Sequence, residues 1–484
     1  MKYFEFHESA GWGNKPEKLF WHMKKSIFCF LFLLIGVSGH AQESRPNIIF
    51  ILTDDQRWDA LGFAGNTIIQ TPEMDRLASE GTYFENAFVT TPICAASRAS
   101  ILTGLYERTH GYTFGQGDIK EPFMNQSYPA ELRKAGYFTG FFGKFGVNYP
   151  GFSELFDVGE DYDRNGKFKD RRGYFFKTIG QDTVHLTRYT GQQAIDFIQN
   201  APSEKPFMLS LSFSAPHAHD PAELQYFWSP EFDHLYEDVV IPDPIMASEA
   251  EFLAQPEYVR TGENRTRWYW RYDTPEKYQH SVKGYYRMIS EVDAEIGKIR
   301  KVLAEKRMDK NTVIILMGDN GYFLGERQLA GKWLMYDNSF RVPLLVFDPR
   351  TTGGKRESGF ALNIDVAATI LELAGAKIPK VYQGLSLQSS ALGKRNEVLI
   401  EHLWQTPIIA PSEAIRTERW KYFRYINDPE WEELYDLSVD PLEQNNLASN
   451  SAFQTDLAKL RKKMEAQIEA FLKERKKLLL EDSQ

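Results

Sequence analysis

Asn47-Ile48-Ile49-Phe50-Ile51-Leu52-Thr53-Asp54-Asp55 decides the fold. Its apolar run is unbroken from Ile48 to Leu52, so the strand it forms is buried on both faces. A sheet with one wet face would alternate apolar and polar residues instead. Thr312–Met317 repeats the pattern after its first residue, and Phe207–Phe213, Tyr137–Phe142 and Val342–Phe347 add three further core strands. Between them the period changes to that of helices: Glu73–Gly81, Ala130–Gly136, Thr187–Asn200 and Asn363–Ala374. A longer helix is expected over Glu276–Lys306, with Tyr285, Met288, Ile289, Val292, Ile296, Ile299 and Leu303 on one face. Strands alternating with helices specify an α/β fold, here a large, mostly parallel (mixed) sheet sandwiched by helices. Beyond about residue 390 the pattern shifts to short strands near Glu413–Arg416, Lys421–Tyr425 and Glu433–Tyr435. A terminal helix follows, with Leu457, Leu460, Met464, Ile468 and Leu472 on one side. The expected organisation is therefore a catalytic α/β domain over 42–390 and a smaller C-terminal α+β subdomain, antiparallel sheet plus helix, over 391–484. A segment at about 218–275, rich in Pro, Trp, Tyr and charge, reads as an insertion over one edge of the main sheet.

The 484 residues are 42% apolar and 25% charged, the balance of a globular protein rather than a disordered or collagen-like one. Lys and Arg total 57 against 66 Asp and Glu, a net charge of −9 with no basic block. Nucleic acid is thereby excluded as a partner, because phosphate contacts need clustered positive charge. Met23-Lys24-Lys25, the apolar run Ile27–Val37 and Ser38-Gly39-His40-Ala41 have the order of a secretory signal, cut after Ala41. Residues 23–41 are read as that signal peptide and 1–22 as an upstream extension. The apolar run is too short to span a bilayer and no later stretch could do so, which gives no stable membrane span and a secreted or periplasmic location. Of the two cysteines, Cys29 falls inside the signal and Cys94 remains. A lone thiol in an oxidising compartment is either buried and inert or chemically special.

Four strand ends carry the chemistry. Thr53-Asp54-Asp55, Gly143-Lys144, Ser214-Ala215-Pro216-His217 and Gly318-Asp319-Asn320-Gly321 each follow an apolar run. Sites in open α/β sheets form at the carboxyl ends of strands, so these residues are expected to converge. Asp54, Asp55, Asp319 and Asn320 offer only oxygen, which suits Ca²⁺ or Mg²⁺ rather than zinc.

A nucleophile is still needed, and the chain offers Pro92-Ile93-Cys94-Ala95-Ala96-Ser97-Arg98 followed by Leu102-Thr103-Gly104. This segment resembles the signature of the type I, formylglycine-dependent sulfatases of the alkaline phosphatase superfamily. Arg45-Pro46-Asn47 to Asp55, Gly331-Lys332 to Arg341-Val342-Pro343, Glu433-Leu434-Tyr435-Asp436 and Asp440-Pro441 resemble other segments of that family, in family order. The resemblance implies an exported sulfuric ester hydrolase acting on a sulfated saccharide. It further implies that a maturase, of the radical type in view of Ala96, converts Cys94 to formylglycine. The hydrated aldehyde would attack sulfur with one hydroxyl and expel sulfate by collapsing through the other. By the same resemblance Asp54, Asp55, Asp319 and Asn320 would bind one Ca²⁺ together with the modified Cys94. Arg98 would hold the modified side chain, Lys144 and Lys332 the sulfate oxygens, and His217 would protonate the leaving alcohol. One departure stands out: the family's Lys-x-His is here Lys144-Phe145-Gly146. His110 and His219 are candidates to replace the missing histidine or to face substrate. Arg267 in the insertion and His402 in Glu401-His402-Leu403-Trp404 are candidates to line a sugar pocket. Two other readings stay open: a phosphatase or phosphonate monoester hydrolase on the same scaffold, and a catalytically impaired sulfoglycan-binding protein.

Overall fold

Five strands run side by side in the same direction, the central ones buried on both faces, and two layers of helices cover them. The computed structural model describes residues 45–481, so the segments read as extension and signal lie outside the described residues. The main sheet has eight strands: β1 (Asn47–Thr53), β2 (Thr82–Phe88), β3 (Phe138–Gly143), β4 (Val158–Asp161), β5 (Phe207–Phe213), β6 (Thr312–Gly318), β7 (Leu344–Phe347) and β8 (Lys355–Leu362). Their order is β8-β2-β7-β6-β1-β5-β3-β4. β6, β1, β5, β3 and β4 are parallel neighbours, while β7 runs antiparallel to both β6 and β2, which makes the sheet mixed. Thr53 lies beside both Phe213 and Gly318, and Gly143 beside Ser212, so the carboxyl ends of these strands finish at one level.

The period of two sorts the core. Ile48, Phe50 and Leu52 join one apolar cluster with Ala95, Ala99 and Leu102 of α2 (Cys94–Thr103), Leu132 of α3 (Tyr128–Lys134) and Ile370 of α6 (Asp365–Leu373). Ile49 and Ile51 join the other with Leu77 of α1 (Pro72–Glu80), Phe197 of α4 (Leu186–Asn200) and Ile289 of α5 (Pro275–Glu305). Each face of the sheet is therefore dry, as the unbroken apolar runs require.

The C-terminal region is an antiparallel sheet of β9 (Glu397–His402), β10 (Ser412–Thr417), β11 (Trp420–Tyr425) and β12 (Asp428–Asp436), in that order, followed by α7 (Gln454–Glu481). Leu399, Ile415, Phe423, Leu434, Leu457 and Met464 belong to the same apolar cluster as α2. The small sheet thus braces the layer that carries Cys94.

Candidate active site

The polar residues predicted to converge do so, each for a local reason. Asp54 and Asp55 leave β1 in a bend in which Asp55 takes φ 68°, a left-handed conformation that Asp tolerates better than most residues. The bend is pinned: the Asp55 amide donates to Asp319 Oδ1 at 3.0 Å, and its carbonyl accepts from the Tyr285 hydroxyl of α5 at 2.7 Å. Lys144 follows β3, its amide donating to Ser212 O of β5 at 2.9 Å. Lys332 follows a two-strand ribbon, and Asn264 of the insertion holds it by donating to the Ala330 and Lys332 carbonyls, both at 2.9 Å.

All of these groups are buried. Lys144 Nζ lies 2.5 Å from Asp54 Oδ2, and Lys332 Nζ is bonded to Asp55 Oδ1 and lies 3.9 Å from Asp54. Arg98 Nε donates to Asp319 Oδ2 at 2.8 Å and its Nη1 to Lys144 O and Ser212 Oγ, both at 2.5 Å. Burial alone would raise the Asp54 carboxyl, but Lys144, Lys332 and Arg98 together hold it well below the carboxylate range. Asp319 is pushed the other way, to about 6, by burial and by Asp54.

Three oxygens in this chamber, Asp54 Oδ1, Asp55 Oδ2 and Asn320 Oδ1, are buried without a hydrogen bond among the described residues. Orphaned buried acceptors are costly, and a cluster of them calls for a cation. Asp54, Asp55 and His217 place one ligand atom each within 4.8 Å of one another. The residues therefore fit a metal ion. His217 stands in the compact group, whereas both Asp319 oxygens already accept hydrogen bonds from Asp55 and Arg98.

Cys94 is buried, is not in a disulfide, and is the first residue of α2. No side chain caps the helix, and Ile93 occupies the cap position in extended conformation. Arg98, one turn further along α2, donates to the Lys144 carbonyl and so links this helix to the end of β3. Trp333 N donates to Pro92 O at 3.2 Å and so ties the Lys332 loop to the cysteine loop.

His217 Nδ1 faces the Ala218 carbonyl at 2.6 Å and must donate to it, which leaves Nε2 facing Asp55 Oδ2 at 3.5 Å. Burial, and then the positive field of Arg164, Lys332 and Lys144, hold this imidazole well below its ordinary range. Arg164 is a residue the sequence reading missed. It follows β4, an exposed edge strand without an apolar run to announce it.

The candidates for substrate contact divide. His110 is buried behind α2, bonded to Ser100 Oγ at 3.0 Å and to the Tyr112 amide at 3.1 Å, and burial lowers it to about 3. His402 is fully buried in β9, opposite Ser412. Neither is open to a substrate, and that expectation is corrected for both. His219 is buried with Nε2 against Phe168 O at 2.6 Å, where it anchors the loop that carries Arg164. Arg267 pairs with Asp220 at 2.9 Å and Glu263 at 2.8 Å and lies over the Trp333 ring. It alone of the four is partly exposed.

Gly146, where the family's histidine is missing, has φ +69°, and a Cβ built there would lie 2.9 Å from Arg98 Cδ. Arg98 is held by three hydrogen bonds and cannot give way cheaply. Gly146→His is therefore expected to lower both stability and turnover rather than improve them, at a cost of about 1–3 kcal/mol. Thermal melts and initial rates on one aryl sulfate test this; a faster, equally stable variant would show that the space exists.

A chamber at the carboxyl ends of a parallel sheet, with paired carboxylates, buried cations and a cysteine at a helix start, defines a hydrolase of anionic esters. The sulfatase family model matches residues 46–376, and a model described as N-sulphoglucosamine sulphohydrolase, C-terminal, matches residues 325–470. The chain belongs to the sulfatase family of the alkaline phosphatase superfamily and is a sulfuric ester hydrolase. It is 29% identical over 474 residues to an arylsulfatase of Clostridium perfringens, covering 86% of this chain and 93% of that one. An N-acetylglucosamine-6-O-sulfatase of Bacteroides thetaiotaomicron is 27% identical over 490 residues, covering 85% and 84%. A structure solved in complex with its substrate D-glucosamine-2-N,6-O-disulfate superposes with a TM-score of 0.73 at 25% identity, covering 88% of this chain and 98% of the other.

Proposed function

We infer that this sulfatase removes sulfate from a sulfated carbohydrate outside the cytoplasm, with formylglycine made from Cys94 and one calcium ion. The observation that carries the reading is the convergence of Cys94, Arg98, Lys144 and Lys332 on a pocket where three carboxylate or amide oxygens lack partners. Oxygen-rich donors favour a hard cation, and Asp54, Asp55, Asp319 and Asn320 supply them. Calcium, when bound there, adds positive charge beside the sulfate oxygens; formylglycine supplies a hydrated aldehyde as nucleophile. Maturation to formylglycine requires a maturase partner acting on Cys94.

The chain's own residues do the rest. Lys144 and Lys332 bind sulfate oxygens and neutralise charge as it grows in the transition state. Arg98, through its bonds to Asp319, Ser212 and the Lys144 carbonyl, fixes the floor on which Cys94 stands. His217 directs Nε2 into the chamber; the negative charge of a bound sulfate ester opposes the field that keeps the ring neutral, and the protonated ring can then pass its proton to the leaving alcohol. The sugar assignment rests on relatives named for sugar sulfates. Export rests on the signal pattern at 23–41, and no helix among the described residues is long and apolar enough to cross a membrane.

Two experiments test this. Sulfate release from a panel of mono- and disaccharides sulfated at defined hydroxyls should exceed release from an aryl sulfate, and phosphate or phosphonate esters should be poor substrates. Exhaustive chelation should abolish activity, with Ca²⁺ restoring it and Zn²⁺ failing to. Full activity in enzyme shown by elemental analysis to be metal-free would remove the four oxygen residues from the mechanism.

A further inference from the structure

Arg164 has no part in the chemistry derived above, yet the structure brings its head group into the same chamber. β3 and β4 are parallel and in register, with Gly143 beside Asp161. Lys144 follows one strand by a single residue and Arg164 follows the other by three, so the sheet edge delivers two cations to one level. The loop bearing Arg164 is fixed. Asn165 N donates to Gly173 O at 2.9 Å, His219 Nε2 meets Phe168 O at 2.6 Å, and the Tyr174 hydroxyl donates to the His217 carbonyl.

The guanidinium is only partly satisfied. Its Nη2 lies 3.4 Å from Asp163 Oδ2, an oxygen shared with Lys144 Nζ at 3.5 Å. Its Nη1 is buried and makes no hydrogen bond to the described residues. Tyr174 stands beside it; its hydroxyl donates to His217 O and keeps a lone pair that can accept from the guanidinium. A buried charged donor without an acceptor is expensive, and guanidinium presents its donors in a planar fork made for anionic oxygens.

We propose that Arg164 is a substrate-binding residue whose Nη1–H donates to an anionic oxygen of the bound sulfate ester beside Lys144. This deepens the sulfated-carbohydrate reading and rests on it. The oxygen has two sources: the sulfate being cleaved, or a second acidic substituent, sulfate or carboxylate, on the same sugar.

The test compares wild type, Arg164→Gln and Arg164→Lys in metal-replete enzyme. The probes are inorganic sulfate binding by calorimetry and kcat/KM on 4-nitrophenyl sulfate, a monosulfated neutral sugar and a doubly sulfated sugar. Arg164→Gln is expected to lose at least about tenfold in kcat/KM on the relevant substrate, with Arg164→Lys recovering part because it keeps charge without the fork. Weakened sulfate binding and an equal loss on all three substrates assign the oxygen to the scissile sulfate. A loss confined to the doubly sulfated sugar, with sulfate binding intact, assigns it to the second substituent. Folded variants with unchanged sulfate binding and unchanged kcat/KM on every substrate overturn the proposal. Should Arg164→Gln fail to fold, Arg164→Lys decides by the same readouts. Wild type active on the aryl sulfate but on neither sugar would instead sink the carbohydrate reading, while sulfate binding still reports on Arg164.

Discussion

Cys94→Ala is expected to lose sulfate release by at least about 10³-fold while unfolding near the wild-type temperature. The side chain is small, stands in the first turn of α2 and is in no disulfide, so its removal opens only a minor void. Around it Arg98, Lys144 and Lys332 supply a positive environment, and the start of a helix adds its partial positive charge. That setting stabilises negative charge on whatever the side chain becomes. Enzyme from a host with a formylglycine maturase should carry an aldehyde at position 94, visible by peptide mass and by hydrazide labelling. Cys94→Ser should recover activity only in a host whose maturase accepts serine. Cys94→Ala should still bind the substrate it cannot turn over, since the lysines remain. Fully active enzyme with an unmodified thiol at 94 would end the formylglycine mechanism and require another nucleophile.

The strands that carry the site were legible because their burial is two-sided. β1, β5 and β6 are apolar at nearly every core position, and short unbroken runs of this kind, bounded by turn residues, specify buried strands. β2 reads Thr-Tyr-Phe-Glu-Asn-Ala-Phe, with polar residues at its centre, and β8 opens with the exposed or half-exposed stretch from Lys355 to Gly359, so neither announces itself. β4 is exposed and only four residues long, which is why the rule that polar residues at strand ends form sites passed over Arg164. The start of α2 was hidden for a different reason. Ile93 offers no capping side chain, so the usual signal of a helix start is absent. Candidate histidines show the opposite failure. Residue type suggested a site for His110 and His402, but a histidine can be satisfied or simply enclosed in a core, and only the packing separates the two. Asp54, Asp55, Asp319 and Asn320 were legible as an oxygen set; that His217 packs close to Asp54 and Asp55 while Asp319 bonds to Arg98 depends on side-chain directions no spacing reveals.

Lys332→Ala should reduce kcat/KM by about 10²–10³-fold, the loss found when one preorganised charge-stabilising group is removed. Its effect on stability should depend on calcium. Burial alone would lower the Lys332 ammonium, but Asp55 foremost, with Cys94 and Asp54, holds it protonated. In the protein without a cation Lys332 is the counter-charge of Asp55, whose Oδ1 otherwise keeps only the Asn320 amide at 2.6 Å. Removing one partner of a buried pair leaves the other uncompensated, at a cost of about 3–5 kcal/mol. A bound divalent cation supplies the missing positive charge, so the calcium-loaded variant should recover most of that loss without recovering its rate. Lys144→Ala should behave alike through Asp54, which Lys144 approaches at 2.5 Å. Urea unfolding with chelator and with Ca²⁺, paired with initial rates, separates the two roles. A variant that stays destabilised when loaded would make the lysine structural, and one that keeps near-normal rates would take it out of the sulfate clamp.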